Sequence, residues 1–207
     1  MSIADDFAAG EAEYAALTDS VRRLVDVTIR SRADRATIAA ARSRVDAIVE
    51  ELSGSLIPGS FGLPRSGDGR ILTWGNAVIG LRNALAPPVV VHHRSDGSVW
   101  ADVILGAAYE GPAGHVHGGV CALLLDHVLG AAAHRPGRPA VTGTLTVRYA
   151  AGTPLGRLHA EARIDRVEGR KTFVVGHLET AEGVSVCAEG VFFHPAVGQH
   201  SRPKEST

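Results

Sequence analysis

The apolar positions along the chain change period twice, and each change marks a new kind of element. Between Glu11 and Leu52, Leu17, Val21, Leu24 and Thr28 recur at spacings of four, three and four, and Ile38, Ala41, Val45, Ile48 and Leu52 at three, four, three and four. Such spacings place each set on one face of a helix. The intervening Ala, Arg and Glu residues favour helix because they lose little side-chain freedom there. No proline interrupts before Pro58. Ser31 followed by Asp34 resembles a capping box and puts a break between two helices. Each helix has only a narrow apolar stripe, so residues 1–52 read as a helical hairpin that must pack on something else.

Periodicity then stops. Residues 53–69 hold five glycines and two prolines in seventeen positions, and residues 53–85 read as a Gly/Pro-rich linker or covering loop. Beyond it the pattern alternates. Pro88 to His93, a turn at Ser95-Asp96-Gly97, and Ser98 to Tyr109 form an expected hairpin. Val141–Ala150, Arg157–Val167, Lys171–Thr180 and Val184–His194 follow as further strands. In the first of these, Thr142, Thr144, Thr146 and Arg148 alternate with Val141, Leu145, Val147 and Tyr149, predicting one polar and one apolar face. Between the two groups of strands, His117 to Ala133 is apolar on nearly every side, the mark of a buried helix. The order implies an α+β domain over 86–198, an antiparallel sheet curled around one central helix. Residues 199–207 read as a flexible tail.

Composition narrows the class. The 207 residues are 45% hydrophobic and 21% charged, with a formal net charge of -1. That balance excludes a broad electrostatic partner such as nucleic acid, so any anion must be met locally. Two cysteines in apolar runs, Cys121 and Cys187, make neither a disulfide framework nor a zinc knuckle. With no basic n-region followed by an apolar stretch at the start, and no run long enough to span a bilayer, the chain reads as cytoplasmic.

Two features of the apolar helix suggest chemistry. Asp126 is its only acidic residue, and burying an unpaired carboxylate costs several kcal/mol; a structural ion pair or a wet subunit edge is the competing explanation. At the helix start, Gly118-Gly119 would leave N–H groups free, with the helix dipole behind them and no side chain in the way, which suits an oxyanion hole. Tight packing explains a glycine pair equally well. Eight residues separate Gly118 from Asp126, about 12 Å along one helix. One carbonyl and its attacking water cannot reach both, so a shared reaction needs two chains with antiparallel helices about a two-fold axis.

The run HGGVCALLLD resembles the HGG-x6-D signature of the PaaI-like hotdog-fold acyl-CoA thioesterases, and DRVEGRKTFVV, Asp165 to Val175, is similar to the THEM-type branch. The resemblance covers about Pro88 to Pro195. It implies a sheet wrapped around a central helix, paired as a homodimer or a dimer of dimers, acting on acyl-CoA in fatty acid metabolism without a metal or other cofactor. It further implies that Asp126 activates or orients water and that the Gly118 N–H polarises the thioester carbonyl. Thr142 falls where the family has an assisting hydroxyl; an ordinary solvent-facing threonine ladder is the alternative. Some members carry an asparagine six residues before the HGG histidine as a second donor. Here that position is Gly111, and His117 is the remaining candidate. Coenzyme A binding carries over onto Gly119, Arg148, Arg166, Val167, Gly169, Arg170 and Lys171, where a solvated turn is the plainer explanation. Lys171 is one of only two lysines, the other being Lys204.

Rival readings are a hotdog dehydratase or hydratase, and a non-catalytic acyl-CoA sensor using its N-terminal helices to contact a partner. His127 adjoins Asp126 but points about 100° away on the helix, which weakens the first. His115 and His117 form an H-x-H pair without a completing carboxylate or cysteine. Ser60, Ser66 and Ser98 lack the surroundings of a hydrolase nucleophile.

Overall fold

A computed structural model describes residues 10–87, 89–134 and 139–195. The expected tail at 199–207, with Lys204, lies outside the described residues, as do residues 1–9 and Pro88. The chain divides into two compact units, Met1–Ala86 and Pro87–Thr207.

In the first unit, helix α1 spans Glu11–Arg30 and helix α2 spans Arg35–Ser53. The break falls at 31–34. Its cap is Asp34, whose carboxylate accepts the Thr37 N–H at 2.8 Å, while Ser31 accepts the Ala33 N–H instead. α1 is held by aromatic contacts to the segment after Pro58: Tyr14 lies 6.3 Å from Trp74, Phe61 stacks on Trp74, and the Arg82 guanidinium sits 3.6 Å over the Tyr14 ring. Leu72, Trp74 and Val78 are buried there. Only Thr18 of α1 is buried, and no residue of α2. The two helices meet at their link and make no extended contact along their lengths.

The second unit is a six-stranded antiparallel sheet with one long helix. Strands β1 (His92–His93), β2 (Val99–Leu105), β3 (Val141–Tyr149), β4 (Gly156–Glu168), β5 (Lys171–Thr180) and β6 (Gly183–Phe193) lie in the order β1-β2-β4-β5-β6-β3. Helix α3 spans Gly118–Ala133. The antiparallel sheet and central helix expected from the strand order are both present. The expected first strand shrinks to two residues paired with Val99 and Trp100, and the end of the second becomes a short 3-10 turn over Ala107–Tyr109.

Seven residues of α3 are buried: Cys121, Leu124, Leu125, Val128, Leu129, Ala132 and Ala133. Glycines let the helix approach the sheet. A Cβ at Gly176 would stand 2.6 Å from Leu129 Cδ1, and one at Gly190 would stand 3.2 Å from Leu129 Cδ2. Leu129 thus sits against bare backbone of β5 and β6, which gives it the dense packing of a protein interior.

Candidate active site at the ends of helix α3

The approach to α3 is a tight loop. Gly111 N–H donates to the His115 carbonyl and His117 N–H to the Tyr109 carbonyl, both at 2.9 Å. His117 has extended backbone angles and caps the helix, its Nδ1 accepting the Gly119 N–H at 3.0 Å. An accepting Nδ1 leaves the proton of a neutral ring on Nε2. The two glycines therefore differ. Gly119 has its N–H engaged by His117, whereas the Gly118 N–H has no intrahelical acceptor and makes no hydrogen bond among the described residues.

Position 111 has a steric explanation. A Cβ there would lie 2.7 Å from His117 Cα and 3.0 Å from His117 Cβ. An asparagine cannot stand at 111 unless the loop moves, so the glycine belongs to the packing that brings His117 to the helix start.

Eight residues along α3, Asp126 accepts a 2.9 Å hydrogen bond from the Thr142 hydroxyl. This carboxylate is half-buried, not fully enclosed as an apolar helix suggested. It shares its less buried stripe with Gly119, Val120, Leu123, His127 and Gly130; Leu123 is 36% exposed. Next to it, burial pushes the His127 imidazole below its ordinary value, and the Asp126 charge only partly offsets this. Burial likewise pushes the Cys121 thiol up.

The polar face expected along β3 is corrected by a bulge. Thr142 pairs with Phe192, but the register shifts before Thr144, which pairs with Val191. Gly143 takes up the extra residue, and Phe193 packs so closely on it that a Cβ would fall 2.0 Å from that ring. A one-residue insertion reverses the alternation beyond it. Thr142, Leu145, Val147 and Tyr149 therefore face α3, while Thr144, Thr146 and Arg148 face the other side, opposite Val191, Glu189 and Cys187.

This reversal also brings in Tyr149, which the alternation assigns to the apolar face without a role. Its hydroxyl donates to the Gly118 carbonyl at 2.8 Å, and its ring lies 3.4 Å from where a Gly118 Cβ would be. β3 thus touches both ends of the candidate site, Thr142 at the acid and Tyr149 at the free N–H. A glycine in an otherwise alternating strand was the available signal, since it marks bulges. Gly118, Tyr149, His115, Cys121 and Thr153 line a cleft of about 460 Å³ at this helix end.

The residues expected to hold coenzyme A fall in three places, the first being Gly119 at the start of α3. Val167, Gly169, Arg170 and Lys171 form the exposed β4–β5 turn, with Gly169 at φ 58°. Arg166 beside them is not a free cation: it bonds Glu168 at 2.7 Å and Asp165 at 2.9 Å and lies 3.6 Å over the Phe173 ring. Those carboxylates raise its already high pKa. Thr172 pairs with Phe192, and Phe192 with Thr142, so two strand spacings, about 10 Å, separate Thr142 from the neighbour of Lys171. The turn and the acid lie at the same end of the sheet. Arg148 is elsewhere, on the face away from α3.

His115 Nδ1 bonds the Ala113 carbonyl at 2.9 Å, and among the described residues no group of three His, Cys, Asp or Glu is placed to hold a metal. None of the described helices is long and apolar enough to cross a membrane.

Comparison with known proteins agrees with this fold. The thioesterase superfamily profile matches residues 113–187, a span that holds Gly118, Asp126, Thr142, Tyr149 and Lys171. The crystal structure of RHA08564, a thioesterase superfamily protein, superposes with a TM-score of 0.76 at 40% identity, covering 86% of this chain and 94% of that one. That coverage is longer than the second unit, so the likeness reaches into the N-terminal unit. Acyl-coenzyme A thioesterase THEM4 of Xenopus laevis is 38% identical over 69 residues, 33% of this chain and 31% of that protein. The aligned segment thus spans about a third of that relative. A thioesterase of Haemophilus influenzae, 14% identical with a TM-score of 0.50 and covering 56% of this chain and 83% of its own, shares the fold.

Proposed function

The chain belongs to the thioesterase superfamily, and on that premise we propose that it hydrolyses the thioester of fatty acyl-CoA to a free acid and coenzyme A. The observation that carries this reading is the Thr142–Asp126 hydrogen bond on the partly open stripe of α3. Thr142 occupies Oδ1, which leaves Oδ2 to accept a proton from water. The water oxygen attacks the thioester carbonyl carbon while Asp126 takes its proton. The oxyanion receives the Gly118 N–H of a second subunit, preorganised by the helix start and by Tyr149. The C–S bond then breaks, and the proton held by Asp126 passes to the departing sulfur. His117 Nε2–H is the second donor in this scheme. No metal or redox cofactor enters it.

Two subunits are needed because Gly118 and Asp126 stand about 12 Å apart on one helix. Two open surfaces support the pairing: the stripe through Leu123 and Asp126, and β3, an edge strand that among the described residues pairs with β6 alone. An exposed edge of nine residues invites another strand. The basic groups for the coenzyme A phosphates are Arg170 and Lys171, which make no ion pair among the described residues; the Lys171 ammonium lies 5.6 Å from the centre of the Phe193 ring. Gly119, Val167 and Gly169 contribute backbone or apolar contact, and Arg166 orders the turn through its two carboxylates. Arg148 joins the site only if the coenzyme crosses to the other sheet face.

Release of free thiol from acyl-CoAs of graded chain length tests the assignment. Asp126→Asn is expected to lower the rate between about 10² and 10⁴-fold while the melting temperature stays near that of the parent. A folded Asp126→Asn protein with the parent rate would overturn it.

A further inference from the structure

Helix α2 has no role in the site, and among the described residues of the first unit it packs along no other helix. It runs nineteen residues, Arg35–Ser53, with none of them buried. Helices in proteins owe most of their stability to tertiary packing, whereas the supports described for α2 are local: the Asp34 cap, the Gly54 N–H on the last carbonyls, and an Arg42–Asp46 ion pair at 3.7 Å. Its apolar residues Ile38, Ala41, Val45, Ile48 and Leu52 keep the three-four spacing that a neighbouring helix fills. Ile38 is 56% exposed, and Ile48 and Leu52 are each 50% exposed.

The charges of α2 are sorted along its length. Arg35, Arg42 and Arg44 precede Val45, with no acid among residues 35–44; Asp46, Glu50 and Glu51 follow it, with no base among residues 45–53. This order opposes the helix dipole, which favours acids at the start and bases at the end. α1 follows the dipole, with Glu11 and Glu13 in its first turn and Arg30 in its last. The arrangement in α2 therefore does not serve the helix alone.

Folding α2 back along α1 would set Arg35 near Arg30, Arg42 and Arg44 level with Arg22 and Arg23, Asp46 level with Asp19, and Glu50 and Glu51 near Glu11 and Glu13. Like charges would meet at most levels, the exception being Asp26, which is already paired with Arg30, and such meetings are destabilising between neighbouring helices. A parallel copy of α2 meets the same objection. An anionic lipid surface would repel the acidic half. An antiparallel copy of α2 sets each basic half against an acidic half and opposes the two dipoles.

We propose that α2 is a homotypic docking surface, pairing antiparallel with α2 of a second copy about a two-fold axis near Val45. The apolar stripe supplies the seam, and the sorted charges select the antiparallel orientation. This contact is independent of the thioester chemistry and survives if that reading fails.

Cysteine cross-linking of the full chain tests it, in a Cys187→Ser background because Cys187 is an exposed native thiol. Val45→Cys is expected to give a covalent dimer under mild oxidation. Ile38→Cys and Leu52→Cys are each expected to stay monomeric on denaturing gels when alone and to cross-link when mixed. In the Val45→Cys chain, an acidic variant (Arg42→Glu, Arg44→Glu) and a basic variant (Asp46→Lys, Glu50→Lys, Glu51→Lys) should each lose at least about tenfold in cross-linking. An equimolar mixture of the two should recover it. That recovery separates lost pairing from lost helix. Absence of a Val45→Cys dimer, self-linking of Ile38→Cys, or charge variants that cross-link like the parent would each overturn the proposal.

Discussion

Helices α2 and α3 are of similar length and solve opposite problems. α3 is apolar on almost every side and buries seven of its sixteen residues against the sheet; α2 buries none of its nineteen. In α3 one acidic residue, Asp126, stands out against an apolar background and is met by a specific donor, Thr142. In α2 six charges stand in two blocks around a thin seam; Arg42 and Asp46 pair with each other at 3.7 Å, and among the described residues the other four make no ion pair. The contrast teaches that burial and chemistry can be read within a chain only where the partner is in the same chain. Asp126 is half explained by Thr142, and its other half waits on a second subunit. α2 waits on one entirely.

The comparison is most sharply tested by truncating a leucine in one helix and an isoleucine in the other. Leu129→Ala removes a side chain that lies on the bare backbone of Gly176 and Gly190, and urea unfolding should show a loss of about 2–5 kcal/mol. Ile48→Ala should leave the same transition within about 0.5 kcal/mol and act instead on association. Equal losses would mean that α2 packs within the chain after all. A smaller effect is expected from the cap. Asp34→Ala removes the acceptor of the Thr37 N–H, which holds the Asp34 carboxyl below its usual range. α2 should fray at its start, seen as faster amide exchange over 35–44, with thiol release unchanged.

The smallest effect concerns pH. Burial lowers the His127 pKa from 6.5, so the unfolded chain binds a proton more readily than the folded one. Stability is therefore full above about pH 6.5 and is lost as the pH falls from there toward the folded value. Melting temperatures taken between pH 7.5 and 5.5 should fall more steeply for the parent than for His127→Gln. Parallel curves would assign the slope to other groups.

Much of the second unit was legible because its signals are local. The apolar run from His117 to Ala133 exceeds what a strand needs, and its helix is observed over Gly118–Ala133. The strand ends expected at Val167, Lys171, Thr180 and Val184 lie within a residue of those observed, since turn residues act on their own neighbours. The HGG run carried both the helix start and the acid. The short strand at His92–His93 was overestimated because Val89 to Val91 have β-forming side chains, yet only the next two residues pair with β2.

What the sequence by itself determined is the set of elements, their order, and the placing of Asp126 and Gly118 about 12 Å apart on one helix. These depend on residue type and spacing, which act over one or two turns of chain. Tertiary structure decided the rest. The bulge at Gly143 exists because β3 must stay paired with β6 past Phe193; it alone sets Thr142 and Tyr149 on the α3 side and turns Arg148 away. Gly111 is required by the backbone of His117, and the Gly119 N–H is taken by that residue's ring. Such outcomes depend on which atoms from distant parts of the chain compete for one volume, and no local pattern encodes that competition.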